Sequence, residues 1–253
     1  MDNYNLLNSL KNYNKINLDD LNSVGLLNRQ DTKFIFHQDQ LVSILKEAES
    51  FYNILDINNK QVFEYDTTYY DTEELIFFNQ HKNGKKKRFK IRIRKYSSTK
   101  DIFFEIKIKN NKNKTIKERF IFDGDIRNLS KEVRGFTFDT IGFSLDRLKP
   151  ILKVNFFRIT LASKNLEERM TIDMGLKVKN ETVSENFNKL VIAEIKQSRY
   201  NPKSNFIKIL RKFKIHQSKF SKYCIGLIHT KNNLKYNRFK PELFKINKIL
   251  DQN

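Results

Sequence analysis

RFKIRIRKY, residues 88–96, alternates with a period of two: Lys90, Arg92 and Arg94 fall on one side, Phe89, Ile91 and Ile93 on the other. Successive side chains of an extended strand point to opposite faces, so this stretch reads as a strand with one cationic and one apolar face. The pattern recurs downstream. In DIFFEIKIK (101–109) Glu105, Lys107 and Lys109 oppose Ile102, Phe104, Ile106 and Ile108, and in KTIKERFIF (114–122) Lys117 and Arg119 oppose Ile116 and Phe120. ILKVNFFRIT (151–160), LEERMTIDM (166–174) and KLVIAEIK (189–196) continue it; the last two place Arg169, Thr171 and Asp173, then Glu194 and Lys196, on shared faces. With RQDTKFIF (29–36) and the strand opening VFEYDTTYYDT (62–72), about eight strands are expected, enough to close a barrel.

Around these strands the periodicity becomes helical. In QDQLVSILKEAESFY (38–52) Leu41, Ile44, Leu45, Ala48 and Phe51 share one face, the mark of an amphipathic helix. A second helix is expected after Tyr70, capped at Asp71 or Thr72, with Glu73 and Glu74 in its first turn and a stop at Asn83-Gly84. LLNSL (6–10) and LDDLNSVGLL (18–27) read as short helices, residues 128–150 hold one or two more, and residues 204–215, 218–229 and 241–250 return to helix. No repeat or linker divides the chain. The expected fold is α+β: one domain over 1–253, with a closed eight-stranded antiparallel β-tunnel over about 29–226, flanking helices, and a basic helical tail over 231–253.

The chain has 253 residues and a formal charge of +20, and 22 of its residues are Phe, enough apolar surface to build a core. One Cys excludes a disulfide framework, and four scattered His offer no metal cluster. No apolar run approaches the ~20 residues of a membrane-spanning helix and no secretion signal opens the chain, so a soluble cytoplasmic protein is expected. The charge is concentrated: residues 82–119 hold sixteen Lys or Arg against three acids. Such a surplus invites a polyanion. Pattern alone leaves two arrangements open, a sheet whose charged face is solvated and a barrel whose cations line the lumen. The second costs several kcal/mol per unpaired cation unless the lumen is wet or holds anions. Phe89, Phe104 and Phe120 oppose the cations, which argues against base stacking and sequence-specific nucleic-acid recognition. No glycine-rich phosphate loop, serine-hydrolase elbow or zinc-protease helix is present, and Cys224 reads as a core thiol.

Nine segments in fixed order, RQDTKFIF, YDTTYYDT, GKKKRFKIRIRKY, FFEIKIK, KTIKERF, FFRITL, ERMTIDM, VIAEIK and KFSKYCIG, span residues 29–226. Together they resemble the VTC (vacuolar transporter chaperone) domain, the polyphosphate polymerase branch of the CYTH-like triphosphate tunnel metalloenzymes. The resemblance implies a tunnel whose inward cations bind ATP and inorganic polyphosphate, with a divalent metal, Mn²⁺ or Mg²⁺, held by a glutamate. The γ-phosphate of ATP would pass to the growing chain, releasing ADP.

Carried over residue by residue, the resemblance implies catalytic roles for Lys33, Arg92, Arg94, Lys107, Lys117, Arg158, Arg169, Lys196 and Lys222. Substrate binding would fall to Arg29, Lys90, Lys109, Lys114, Arg119 and Ser221, and the metal to Glu194, alone or with Glu105. The superfamily's N-terminal E-x-E-x-K is replaced by Gln30, Asp31, Thr32 and Lys33, a departure that favours polymerase over triphosphatase. No lipid- or polyphosphate-binding helical domain precedes the tunnel and no membrane segment follows it, so any coupling to transport is expected to come through association with a membrane protein. A triphosphatase in the same tunnel and a non-catalytic polyphosphate-binding module are the alternatives.

Overall fold

A computed structural model describes residues 3–23, 30–111 and 115–252. In chain order the elements are α1 (Asn3–Leu10), β1 (Lys15–Ile16), α2 (Leu18–Ser23), β2 (Gln30–His37), α3 (Leu41–Ala48), β3 (Tyr52–Leu55), β4 (Phe63–Asp71) and α4 (Ile76–Lys82). There follow β5 (Arg88–Tyr96), β6 (Ile102–Lys109), β7 (Thr115–Ile121), α5 (Lys131–Ile141), β8 (Lys149–Ser163), β9 (Glu168–Lys179), β10 (Ser184–Phe187) and β11 (Leu190–Gln197). Three helices end the chain: α6 (Asn205–Lys212), α7 (Lys222–Thr230) and α8 (Lys240–Leu250).

Eight strands form one antiparallel path in the order β2-β11-β9-β8-β4-β5-β6-β7, with the short β1, β3 and β10 attached beside it. These eight are the ones the alternation predicts. The sheet curls but stays open, so the expected closed barrel is corrected to a half-barrel: β2 and β7 are its two edges and do not pair. Both edges carry inward cations, Lys33 on one and Lys117 and Arg119 on the other, so pairing would press like charges together. The free edge of β2 is instead taken up in part by Gln217, bridged to Phe34, and by Ser218, whose N–H donates to the Lys33 carbonyl at 2.8 Å.

The convex face is apolar and covered. Met170 and Ile172 of β9 and Val191, Ala193 and Ile195 of β11 pack with Leu41, Ile44, Leu45 and Ala48 of α3 and Phe206, Ile207 and Leu210 of α6. Phe89, Ile91 and Ile93 of β5 and Phe104 and Ile106 of β6 are covered by Leu129, Leu145 and Leu148 around α5. Helix α7 does not lie on this outer face. Its Tyr223, Cys224 and Leu227 pack against Leu152, Val154 and Phe156 of β8, whose side chains share the concave side with Arg158, so α7 plugs one end of the half-barrel. Gly226 allows the approach: a Cβ there would stand 2.7 Å from Leu152 Cδ2 and 3.1 Å from Val178 Cγ1.

Two local readings also change. Phe51 lies beyond the end of α3 and is exposed. Helix α4 starts at Ile76 rather than at Asp71, because Leu75 takes a left-handed φ of +57°. Asp71 nevertheless caps it from a distance, accepting from the Phe77 and Phe78 N–H groups at 3.0 and 2.9 Å, and the Tyr223 hydroxyl donates to the same carboxylate. Glu73 and Glu74 precede the helix and pair with Lys149 and Arg147. The tail helix α8 buries Ile246 and Ile249. No helix among the described residues is long and apolar enough to cross a membrane.

Candidate active site

Because each strand alternates, the concave face collects one side chain in two from every strand of the half-barrel. Lys90, Arg92 and Arg94 arrive on β5, Lys107 on β6, Lys117 and Arg119 on β7, Arg158 on β8 and Arg169 on β9. Lys196 and Glu194 come from β11, Lys33 from β2, and Lys222 from the first turn of α7. Among the described residues, eleven cationic side chains and two carboxylates, Asp173 and Glu194, line a cavity of about 300 Å³. The lumen arrangement, left open by the sequence pattern, is the one adopted.

Two buried carboxylates anchor the cations. Glu105, with no exposed surface, accepts from Arg92 Nε at 2.6 Å, and its other oxygen pairs with Lys117. Asp173 takes Arg158 in a bidentate grip at 2.6 and 2.8 Å and is also paired with Lys222. Burial disfavours ionisation of both acids, yet the cations around them, Arg92, Arg94 and Lys117 for Glu105 and Arg158 and Lys222 for Asp173, hold both carboxyls far below the usual range. Lys117 and Lys222 are brought down to about 8 by burial, which their carboxylate partners only partly offset. Aromatic faces complete the support: Arg158 lies 4.8 Å and Arg94 5.3 Å from the Tyr65 ring centroid, and Lys222 4.5 Å from that of Phe156.

Two further cations are held by neutral groups. Lys90 Nζ donates to Ser221 Oγ at 3.1 Å, and Arg94 Nε to Thr67 Oγ1 at 3.2 Å. Among the described residues Lys107 has no carboxylate partner; burial, and then Arg92, Lys196, Lys33 and Arg94, push it well below the ordinary lysine range. Burial also lowers Lys33 and Lys90. Fixed positive charge that the protein itself leaves uncompensated is what a phosphate chain would neutralise. Glu194 stands among these cations, 3.5 Å from Lys33 Nζ and paired with Lys196, whose Nζ also lies 3.9 Å from Asp31.

Of the residues named from the sequence, Lys33, Lys90, Arg92, Arg94, Lys107, Lys117, Arg119, Arg158, Arg169, Glu194, Lys196, Ser221 and Lys222 meet in this lumen. Lys109 lines the adjoining cavity. Arg29 and Lys114 lie outside the described residues. Glu105 is a correction: with both oxygens engaged by Arg92 and Lys117 and no exposure, it is an ion-pair anchor rather than an open metal ligand. The sequence reading missed Asp173 as a site residue, and with it Tyr65 and Tyr69. Tyr69 sits beneath Arg92, which donates to its hydroxyl at 3.3 Å; burial would raise the phenol, but Arg92, Arg94 and Lys90 bring it below its ordinary range. The signal was available, since Tyr65, Thr67 and Tyr69 share one face of β4 and Asp173 shares one with Arg169.

A family profile for the VTC domain matches residues 28–230, which include every strand of the half-barrel and the α7 plug. The chain belongs to the VTC domain family. This VTC domain is similar in structure to a candidate adenylate cyclase from Bacillus halodurans, with a TM-score of 0.51 and 12% identity over 77% of this chain and 95% of that one. It is also similar to a candidate adenylyl cyclase from Hippeastrum, described as revealing a dominant triphosphatase activity, with a TM-score of 0.52 and 13% identity over 82% and 99%. At such identities the likeness establishes a shared fold. No curated protein matches the sequence.

Proposed function

We propose that this VTC domain moves the terminal phosphoryl group of ATP onto the end of an inorganic polyphosphate chain held in the cationic lumen, releasing ADP. The observation that carries the reading is the lumen's charge: among the described residues eleven cations face Asp173, Glu194 and the buried Glu105, and Lys90, Arg94 and Lys107 are in no ion pair. ATP and polyphosphate repel each other, and bringing both into one cavity requires fixed positive charge on several sides. In the transfer, a terminal oxygen of the chain attacks the γ-phosphorus and the bond from that phosphorus to the β,γ-bridging oxygen breaks. The attacking oxygen is already ionised at neutral pH, so no general base is needed. Arg92 and Arg94 suit forked contacts to phosphate oxygens, while Lys33, Lys107 and Lys196 supply point charges that spread around the transferring group.

The donor set fits a hard divalent ion. Glu194 is a partly exposed carboxylate inside the lumen, and no group of three or more His, Cys, Asp or Glu among the described residues could form a protein cage. Mn²⁺ or Mg²⁺ would thus be held by Glu194 together with phosphate oxygens and water, the usual economy of protein ligands at phosphoryl-transfer sites. When bound, it would neutralise charge on the β- and γ-phosphates.

Hydrolysis in the same lumen is the second reading. It is favoured by the triphosphatase activity described for the Hippeastrum neighbour and by the open edge between β2 and β7, through which water can enter. Incubating the purified chain with ATP and Mn²⁺ separates the readings. Acid-precipitable linear polymer with stoichiometric ADP is the expected product; free phosphate alone would replace the polymerase with a triphosphatase, and neither product would leave a binding module.

A further inference from the structure

The lumen does not end at Ser221. A second cavity of about 510 Å³ shares Lys33, Lys90 and Lys107 with it and continues outward past Arg88, Lys109 and Arg238. Arg238 belongs to a segment that follows the family match, which stops at residue 230. The fold places it deliberately. Phe239, next in sequence, is buried and stacks on Phe78 with ring centroids 6.2 Å apart, and Lys245 Nζ donates to the His216 carbonyl at 3.1 Å. The Arg238 guanidinium lies against the backbone of Gly84, where a Cβ would stand 2.1 Å from Nη1 and 2.6 Å from Cζ. Gly84, at φ +69°, thus ends α4 and also makes room for the guanidinium.

Asp31, Glu194 and Glu242 also line this cavity, but none of them forms an ion pair with its outer arginines. Among the described residues neither Arg88 nor Arg238 has a carboxylate partner, although the two are close enough that Arg238 helps to lower Arg88, after burial as the main cause. His81 lines the same cavity, and its buried Nδ1 has no hydrogen-bond partner; burial and then Lys90, Arg88, Lys33 and Lys109 depress the ring to about 2, so it stays neutral and adds no charge of its own. The buried Oε2 of Glu242 meets no donor, and among the described residues Glu242 forms no ion pair with either arginine, so it stands there as a carboxylate that an incoming anion must meet. Two guanidiniums that line one cavity and have no ion-pair partner make a place for a bridging anion.

We propose that the C-terminal segment completes an outer anion subsite, in which Arg238 with Arg88 and Lys109 grips the part of a linear polyphosphate that runs out of the lumen and so sets a preference for long chains. The inference rests on the polyphosphate reading of the lumen. It is tested by calorimetric titration of the full chain with tripolyphosphate and with long-chain linear polyphosphate, for the wild type, Arg238→Ala, Arg238→Lys and Glu242→Gln. The ratio of long-chain to tripolyphosphate affinity is expected to fall about tenfold in Arg238→Ala, to fall less in Arg238→Lys, and to rise in Glu242→Gln, where a repelling charge is removed. Melting temperatures establish that each variant is folded; the exposed Arg238 side chain makes large losses unexpected, and Glu242→Gln carries the test should Arg238→Ala not fold. If the wild type binds both ligands and the ratio stays constant across the variants, the outer subsite is wrong and the lumen stands. If the wild type binds neither ligand, the lumen reading fails and this inference falls with it.

Discussion

Glu194 bears more of the catalytic reading than any single cation, because a carboxylate on an anion-gripping face weakens anion binding unless it holds a metal. Glu194→Gln keeps the size and removes the charge. The expected outcome is loss of metal-dependent ATP consumption, with tripolyphosphate bound as tightly as before or more so and little change in melting temperature. A variant that melts lower and keeps its turnover would make Glu194 a mere partner of Lys33 and Lys196. Asp173 should behave in the opposite way. Its carboxylate is buried beneath Arg158 and Lys222, so Asp173→Asn is expected to cost about 3 kcal/mol of stability in a urea titration, and tripolyphosphate should restore more stability to it than to the wild type. At this scale, period-two alternation in RFKIRIRKY and its successors identified the inward residues but not their depth or cross-strand partners. Glu105 and Glu194 look equivalent in sequence. They differ because the register sets Glu105 opposite Arg92 and Arg119, whereas Glu194 lies opposite Lys33 and Thr171 and stays partly open. Asp173 escaped for the same reason, since only the β8–β9 register brings Arg158 opposite it.

Among the elements, α7 has the most unexpected place. Its apolar spacing reads as that of any amphipathic helix, and nothing in SKFSKYCIGLIH tells whether the apolar side meets the convex or the concave face of a sheet. The clue lies on the strands. Leu152, Val154 and Phe156 share a face with Arg158, so the inner face is apolar at one end and cationic at the other, and a helix must cover the apolar end. Gly226→Ala tests this packing: with Leu152 and Val178 in its way, the new methyl should destabilise the domain by about 1–3 kcal/mol, whereas an α7 packed loosely would gain stability from the better helix former. Strand content was legible because each of the eight long strands carries its own alternation. β1, β3 and β10, of two to four residues, are too short to show a period. The delayed start of α4 depends on the left-handed Leu75, which no spacing rule foresees.

The whole molecule trades stability for a lumen charged in advance. The sequence announced the surplus of cations; that the sheet stays open could not be read from it, because closure depends on whether β2 and β7 meet across space. With Lys117 and Lys222 near 8 in the folded chain against an ordinary 10.5, the unfolded chain binds more protons between these values. Stability of the ligand-free protein should therefore rise as pH increases from about 8 towards 10, as these lysines lose charge inside the lumen. Denaturant titrations across that range check the sign, and saturating tripolyphosphate should reverse it, since the ligand favours the charged lysines.

The same linkage gives the most direct test of a lumen built to hold phosphate. At pH 8.5 free tripolyphosphate keeps part of its last proton, whose release is known from its own titration curve and is subtracted, while Lys33, Lys90 and Lys107 are lowered by burial, and Lys117 and Lys222 are brought down to about 8. Calorimetric titration with tripolyphosphate in two buffers of different ionisation enthalpy should show one site per chain and net proton uptake on binding, as the anion draws these amines back to their charged form. Absence of binding, or binding with no proton uptake, would contradict an anion seated among those lysines.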